Sequence, residues 1–140
     1  MAHGKRFTLE QANAEVPRLA MLVERLQRCA LRLEAERHAA AAALGVASEM
    51  LTGEALVRAR PAARALIEEL SSVAHDIEQS GAQLKDIELG LVDFPAEVEG
   101  RPALLCWQFG ERAIAFWHRE GEGFAGRRPI VGAIDSRILQ

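Results

Sequence analysis

Three carboxylates, one thiol and one imidazole lie in the second half of the chain, in segments whose apolar residues alternate as in β-strands. Asp86 and Glu88 lie in the first of these segments, Asp93 follows them, and Cys106 and His118 lie in the next two. Side chains of these types bind divalent metals, and paired carboxylates also serve in acid–base chemistry. We therefore predict a divalent-metal or small-ligand site made by Asp86, Glu88, Asp93 and His118.

The first two carboxylates are separated by one residue. In a strand, Asp86 and Glu88 lie on the same face about 7 Å apart, which suits two oxygen ligands of a metal. A strand with one face in water carries such pairs without any function. The pair is therefore compatible with a site and equally with a solvated surface.

The thiol and the imidazole are predicted on neighbouring strands. A tight turn at residues 110–111 pairs Cys106 with Ala115 and His118 with Ala103, so that the two side chains lie about 10 Å apart. That distance is too long for both to bind one ion. Cys106 is accordingly predicted as a core residue, with a metal thiolate or a reactive thiol as the alternative.

Composition limits the class of protein. A chain of 140 residues with 49% hydrophobic and 26% charged residues is predicted to form a single domain over residues 1–140. Its net charge of −3 disfavours nucleic acid as a partner. The longest apolar run, residues 39–44, is far shorter than the roughly 18 residues of a membrane span, so we expect no membrane insertion.

The two cysteines, Cys29 and Cys106, lie far apart in unlike patterns and form neither a disulfide framework nor a metal knuckle. This spacing is typical of reduced thiols, and we predict a cytoplasmic location. Residues 83–122 carry 4 Lys or Arg against 8 Asp or Glu, and a basic arm that contains glycine follows. Arg127 and Arg128 of this arm are predicted to pair with Asp86, Glu88 or Asp93; the alternative is binding of an external anion.

Helical periodicity predicts an antiparallel hairpin over residues 7–82. Thr8 and Gln11 have the spacing of a capping box, and Gly45 is predicted to end the first helix. Pro17 predicts a kink or a restart of that helix. Apolar residues recur at heptad spacing, as in a coiled coil, in both helices: Ala12, Val16, Leu19, Val23, Leu26, Ala30 and Leu33, then Ala63, Leu66, Leu70, Val73 and Ile77.

After Gly81 the apolar period changes from that of a helix to that of a strand. Three short strands are predicted over residues 83–120, with turns near residues 95–102 and 109–112. Trp107 and Phe109 are predicted to face the helices, and Trp117 to anchor the same sheet. The predicted fold class is α+β: a long antiparallel helical hairpin packed on a small antiparallel three-stranded β-meander, with a C-terminal arm over residues 121–140. The apolar end of this arm is expected to dock on the domain or on a partner.

Several motifs occur together and in a fixed order. They are F-T-L-E-Q-A-N with Pro17, L-K-D-I-E-L-G-L-V-D-F-P, L-L-C-W, W-H and G-F-A-G-R-R-P-I. In this order they resemble the bacterial and archaeal DUF2203 family of small proteins without an assigned function, over residues 7–37 and 81–130. The resemblance implies that the strand motifs and the arm belong together, and it implies no activity, cofactor or catalytic residue.

Two functional hypotheses follow. The first is a non-enzymatic homo-oligomer, most simply a dimer, with an interaction or adaptor role, because apolar residues such as Met21, Leu31 and Met50 lie outside the heptad positions. The second is the protein that binds a divalent metal or a small ligand at the acidic site described above. Hydrolase, kinase, zinc-finger and dinucleotide-binding motifs are absent, which favours a non-enzymatic role and leaves catalysis open.

Overall fold

The computed structural model describes residues 5–130 and has an α+β fold, in which helices pack on one face of an antiparallel sheet. The helices are α1 (Leu9–Leu44), α2 (Gly53–Ala59) and α3 (Ala62–Gln79). The strands are β1 (Gln83–Asp86), β2 (Leu91–Val98), β3 (Arg101–Gln108), β4 (Phe116–His118) and β5 (Arg128–Pro129). Within the described residues, no helix has the length and apolar character required to cross a membrane.

The ends of α1 follow the sequence. Thr8 accepts a hydrogen bond from the Gln11 backbone while the Gln11 side chain accepts one from Thr8, so the predicted capping box is confirmed. Gly45 ends the helix in the left-handed conformation, with φ of 69°. The helix continues through Pro17 without a restart, because buried residues on both sides, Val16 and Leu19, hold this turn against the core.

The connection between the two long helices is more structured than a short loop. It contains a 3₁₀ turn at Ser48–Met50 and the helix α2, which Thr52 caps by accepting a hydrogen bond from the Ala55 backbone. Leu51 and Leu56 are buried here, in a small second core with Ala40 and Ala63. Burial of these apolar side chains explains why the connection folds.

The sheet has five strands in the order β1-β2-β3-β4-β5, so the prediction of three strands was wrong. The first predicted strand is broken by a turn, in which Asp86 Oδ1 accepts a hydrogen bond from the Leu89 backbone at 2.8 Å and Gly90 has φ of 69°. A side chain at Gly90 would also meet Phe109, since an added Cβ would lie 2.6 Å from the Phe109 Cβ. Glycine is therefore required at this position.

Pro95 was predicted in a turn and lies within β2 instead. β1 pairs with β2 only as far as Asp93, so at Pro95 the edge that faces β1 has no neighbouring strand. The Pro95 carbonyl on that edge accepts a hydrogen bond from the Phe7 backbone at 2.7 Å. A proline is tolerated there because no strand partner needs its missing N–H.

The pairing of β3 with β4 also differs from the prediction by one residue. His118 lies opposite Leu104, and Cys106 lies opposite Phe116. The connection is a loop over residues 109–115, and the Ile114 backbone donates a hydrogen bond to Asn13 Oδ1 of α1 at 2.7 Å. Because strand side chains alternate with a period of two, this slip changes which side chains share a face.

The main core lies between the helices and the sheet. Trp107 belongs to it, as predicted, and so does Trp117. The prediction that Phe109 also faces the helices was wrong, because Phe109 lies beyond the end of β3 and is 38% exposed. From the sheet, the core includes Val92, Phe94, Ala96, Val98, Ala103, Leu105, Trp107 and Trp117. The arm supplies β5, and Ile130 donates a backbone hydrogen bond to Ala115. The rest of the predicted apolar docking segment, residues 131–140, lies outside the described residues.

Candidate metal centre

Three polar side chains meet on the face of the sheet that points away from the helices. Asp93 comes from β2, Cys106 from β3 and His118 from β4. One carboxylate oxygen, the thiol sulfur and one ring nitrogen all lie within 4.8 Å of one another. The three residues are buried, with exposed fractions of 3%, 1% and 3% respectively.

Strand alternation places each of these side chains on that face. Asp93 lies between Val92 and Phe94, which point into the core, so its own side chain points to the other face. The Cys106 side chain points to that face as well, because its neighbours Leu105 and Trp107 are core residues. His118 follows the core residue Trp117. Register then decides whether the three meet: Asp93 pairs directly with Cys106, and His118 is opposite the residue two positions before Cys106.

The imidazole of His118 has a defined orientation. Its Nδ1 lies 2.9 Å from the Arg119 carbonyl oxygen, and because a carbonyl can only accept, Nδ1 carries the hydrogen. Its Nε2 lies 3.2 Å from Asp93 Oδ2. Histidines that bind metals commonly donate the hydrogen of one ring nitrogen to a carbonyl and use the other nitrogen as the ligand. His118 has this arrangement, with Nε2 directed into the cluster.

The carboxylate of Asp93 is 5% exposed, and the imidazole of His118 and the thiol of Cys106 face it. Burial of a carboxylate is unfavourable unless a positive charge and hydrogen bonds compensate it. A metal ion bound at Nε2 of His118 would supply such a positive charge. The cluster thus offers three different donors to a cation.

Burial raises the pKa of the Cys106 thiol to about 12, and the charge of Asp93 and its hydrogen bond with the thiol act in the same direction. The thiol is therefore protonated at neutral pH, whereas a nucleophilic cysteine needs a lowered pKa. In a catalytic triad the imidazole is the activating base and must contact the nucleophile itself. Here the carboxylate of Asp93 faces both the thiol and the imidazole, so the three groups are not arranged as in a triad. A metal ion would displace the thiol proton.

This raised pKa makes stability fall at high pH. The pKa of the Cys106 thiol is higher in the folded protein than its usual value of 9.0. The contribution of this thiol to the free energy of unfolding is therefore complete below about pH 9 and is lost as the pH rises toward 12. We expect the metal-free protein to lose up to about 1.4 kcal/mol of unfolding free energy per pH unit in this interval. Urea unfolding of wild type and Cys106→Ala at about pH 8 and about pH 10 measures the difference. Equal pH slopes in the two proteins would contradict it.

Two of the four predicted metal ligands lie elsewhere. Asp86 closes the turn that ends β1, and Glu88 is exposed in that turn, where its carbonyl oxygen accepts a hydrogen bond from the Gln27 side chain. The structure brings Asp93 and His118 together and adds Cys106, which the predicted register had placed too far away. The sequence did carry a signal for Asp93, Cys106 and His118. Each has a side chain that can bind a metal and lies in a strand beside a large core residue.

The basic residues of the arm have partners other than those predicted. Arg127 binds both carboxylate oxygens of Glu111, at 2.9 and 3.1 Å, and Arg128 binds Glu122 at 2.9 Å. The Arg127 guanidinium also stacks on the Phe116 ring, 4.0 Å from its centroid. Within the chain these arginines contact Glu111 and Glu122 rather than Asp86, Glu88 or Asp93, and the loop over residues 109–115 brings Glu111 to Arg127. The alternative prediction, that they reach those carboxylates across a dimer, stays a prediction.

The donor types and their spacing fit a small transition-metal ion. Zinc is bound at about 2.0–2.3 Å by sulfur, nitrogen and oxygen ligands, so that ligand atoms around a tetrahedral ion lie about 3.3–3.8 Å apart. The distance of 3.2 Å between His118 Nε2 and Asp93 Oδ2 is already close to that range, and the limit of 4.8 Å for the whole group requires only small side-chain movements.

A family model described as "Uncharacterized conserved protein (DUF2203)" matches residues 5–130 of the 140-residue chain. The match includes α1, the whole sheet and all three residues of the cluster. Searches of curated proteins and of solved structures found no match.

Proposed function

The chain belongs to the DUF2203 family, and we propose that it is a metal-binding protein that holds one zinc-type divalent ion on Asp93, Cys106 and His118. The observation that carries the proposal is the convergence of these three donors from three adjacent strands at a buried point. The hydrogen bond from His118 Nδ1 to a carbonyl, which leaves Nε2 for the ion, supports it.

The donor set favours zinc over hard cations. Magnesium and calcium prefer six or more oxygen ligands, whereas Asp93 alone supplies oxygen in this cluster. A thiolate and an imidazole select zinc or a similar transition metal. Three protein donors leave a fourth position for water or a small ligand, as in zinc sites that are not closed by protein. Binding of a small ligand, the other part of our sequence-based hypothesis, would take place at that position.

The same atoms also form an arrangement without metal, in which His118 Nε2 lies 3.2 Å from Asp93 Oδ2 beside the protonated Cys106 thiol. The two arrangements differ in the proton on the Cys106 thiol, which metal binding removes. Spectroscopy of the sulfur therefore distinguishes them. Cobalt(II) is the suitable probe, because it replaces zinc and gives a thiolate-to-metal charge-transfer absorption in the near ultraviolet only when sulfur is bound.

We expect protein purified without an affinity tag to bind one equivalent of zinc, and its cobalt(II) form to show the charge-transfer band. Cys106→Ser should abolish the band and weaken zinc binding. Cys29→Ser is the matched control, because Cys29 is also buried but lies on α1, where its thiol donates to the Leu66 carbonyl. Failure of wild type to bind either ion, or an intact band in Cys106→Ser, would refute the proposed function.

Self-association is a second candidate function, supported by apolar side chains that the fold leaves exposed on the helical hairpin. Met21 and Leu31 of α1 are each 73% exposed, and Met50, which follows α1, is 75% exposed. Large apolar side chains that the fold leaves exposed are candidates for an interface. We therefore propose that a second copy of the chain packs on this helical surface, and that the reduced thiols Cys29 and Cys106 reflect a cytoplasmic location.

The expected result is a dimer at micromolar concentration, and Leu31→Glu is expected to convert it to a monomer because burial of a carboxylate in an apolar interface is unfavourable. Light scattering or sedimentation equilibrium measures the mass. Phe124→Ser is the control, since Phe124 is an exposed apolar residue of the arm. A monomeric wild type would contradict this second candidate and would leave metal binding unaffected.

A further inference from the structure

The Arg119 side chain, which follows the cluster residue His118 in sequence, is held by the turn between β2 and β3. Its Nη1 donates to the carbonyl oxygens of Val98, Arg101 and Pro102, at 3.1, 3.3 and 3.3 Å. Its Nη2 pairs with Glu99 at 3.3 Å. The side chain is only 16% exposed, so the guanidinium lies largely buried among these carbonyls.

The conformation of that turn creates the carbonyl cluster. Glu99 and Gly100 both have positive φ, 55° and 75°, which is the geometry of a two-residue turn that matches the twist of its strands. Glu99 is the only residue other than glycine with positive φ among residues 5–130. A guanidinium presents several donors in one plane and can serve several acceptors together, which a lysine ammonium does less well.

The main chain of Arg119 is held as well. Its N–H donates to Glu122 Oε1 at 2.9 Å, and Glu122 is in turn bound by both terminal nitrogens of Arg128. Its carbonyl oxygen accepts the hydrogen of His118 Nδ1. The carbonyl that orients the imidazole therefore belongs to a residue anchored through both its side chain and its N–H.

We propose that Arg119 is a positioning residue for the metal site, which acts by holding its own carbonyl against His118 Nδ1 so that Nε2 faces Asp93 and the ion. The effect of Arg119 on metal binding rests on the proposed function. The orientation of the ring exists without metal, so part of the inference is testable separately. A role limited to holding the arm would leave the His118 ring unaffected.

The first experiment uses the metal-free protein with ¹⁵N-labelled histidine. In wild type, NMR should show His118 Nδ1 carrying a hydrogen that exchanges slowly with water, whichever state Nε2 is in. In Arg119→Ala that exchange should become faster, because the carbonyl loses its anchor. Arg112→Ala is the matched control, since Arg112 is an exposed arginine in the loop before β4. Unchanged Nδ1–H exchange in folded Arg119→Ala would overturn the proposal.

The second experiment measures zinc affinity by competition with a chelator. Loss of a group that orients a metal ligand typically weakens affinity about 10- to 100-fold, and we expect Arg119→Ala to fall in that range. Arg119→Lys keeps the charge without the planar fork, and we expect an intermediate loss. Zinc affinity equal to that of wild type in Arg119→Ala would overturn the metal-binding part of the inference.

The two experiments also cover a wild type that binds no zinc and an Arg119→Ala variant that does not fold. If wild-type protein binds no zinc, the proposed function fails, while the Nδ1–H exchange still decides whether Arg119 orients the ring. If Arg119→Ala does not fold, Arg119→Lys decides the proposal. We do not expect Arg119→Lys to bind zinc more tightly or to exchange Nδ1–H more slowly than wild type. Faster exchange together with weaker zinc binding supports the inference. A wild-type exchange rate together with a wild-type zinc affinity refutes it.

Discussion

Replacement of His118 by leucine is expected to lower the unfolding free energy of the metal-free protein by about 3–5 kcal/mol. The substitution removes the group that faces the carboxylate of Asp93 at 3.2 Å. The carboxylate would then be left in a buried position without the imidazole that faces it, so that its burial is no longer compensated. Urea unfolding followed by circular dichroism, with a chelator present, measures the effect.

The double variant with leucine at both Asp93 and His118 isolates the cause. Replacement of a complete buried ion pair by apolar residues is often neutral, whereas removal of one partner is strongly unfavourable. The double variant should therefore recover much of the lost stability, although it can bind no metal through these groups. His75→Leu, at an exposed histidine of α3, is the matched control. A single variant within about 1 kcal/mol of wild type would show that the pair is not coupled as the structure indicates.

Trp107→Ala is expected to cost about 3–5 kcal/mol, the usual range for truncation of a large aromatic residue in a core. Trp107 is fully buried between the sheet and the helices. Its Nε1 donates to the Glu111 carbonyl at 2.9 Å, so the variant also loses a contact that holds the loop before β4. Chemical unfolding measures this cost.

Arg112→Ala provides the comparison, because Arg112 is exposed in the loop before β4 and a surface substitution usually changes stability by no more than about 0.5 kcal/mol. If Trp107→Ala unfolds within about 1 kcal/mol of wild type, the side of β3 that faces the core has been assigned wrongly. Cys106 would then point to the helices, and the metal cluster could not form. The stability of this variant is therefore also a test of the strand face on which the site depends.

Local signals in the sequence were sufficient for the two long helices, α1 and α3, but not for α2. Thr8 and Gln11 form a cap between residues three apart, and Gly45 ends α1 because glycine takes the left-handed conformation without a steric cost. The heptad positions predicted most of the helical residues of the main core, such as Val23 and Ile77. These features depend on neighbours within one or two helical turns, which the sequence shows directly.

The strands depended on contacts that are distant in sequence. Pro95 resembles a turn residue, and it is accommodated in β2 only because β1 ends before it and the Phe7 backbone binds its carbonyl. The sequence predicts a tight turn at residues 110–111, whereas the structure has a longer loop over residues 109–115. The hydrogen bond between Ile114 and Asn13 on α1 holds part of this loop. Neither contact can be inferred from the local pattern of apolar residues.

The candidate site shows the same division between local and distant information. Alternation in the sequence by itself determined that Cys106 lies on the strand face opposite its neighbours Leu105 and Trp107, because a strand has a period of two residues. The face of Asp93 was decided by the structure, in which a turn at residues 87–90 interrupts the first predicted strand. Only the tertiary structure decided that His118 meets them, because a shift of one residue between β3 and β4 changes which side chains share a face. That register depends on loop contacts with a helix roughly a hundred residues earlier in the chain, where Asn13 accepts the hydrogen bond from Ile114.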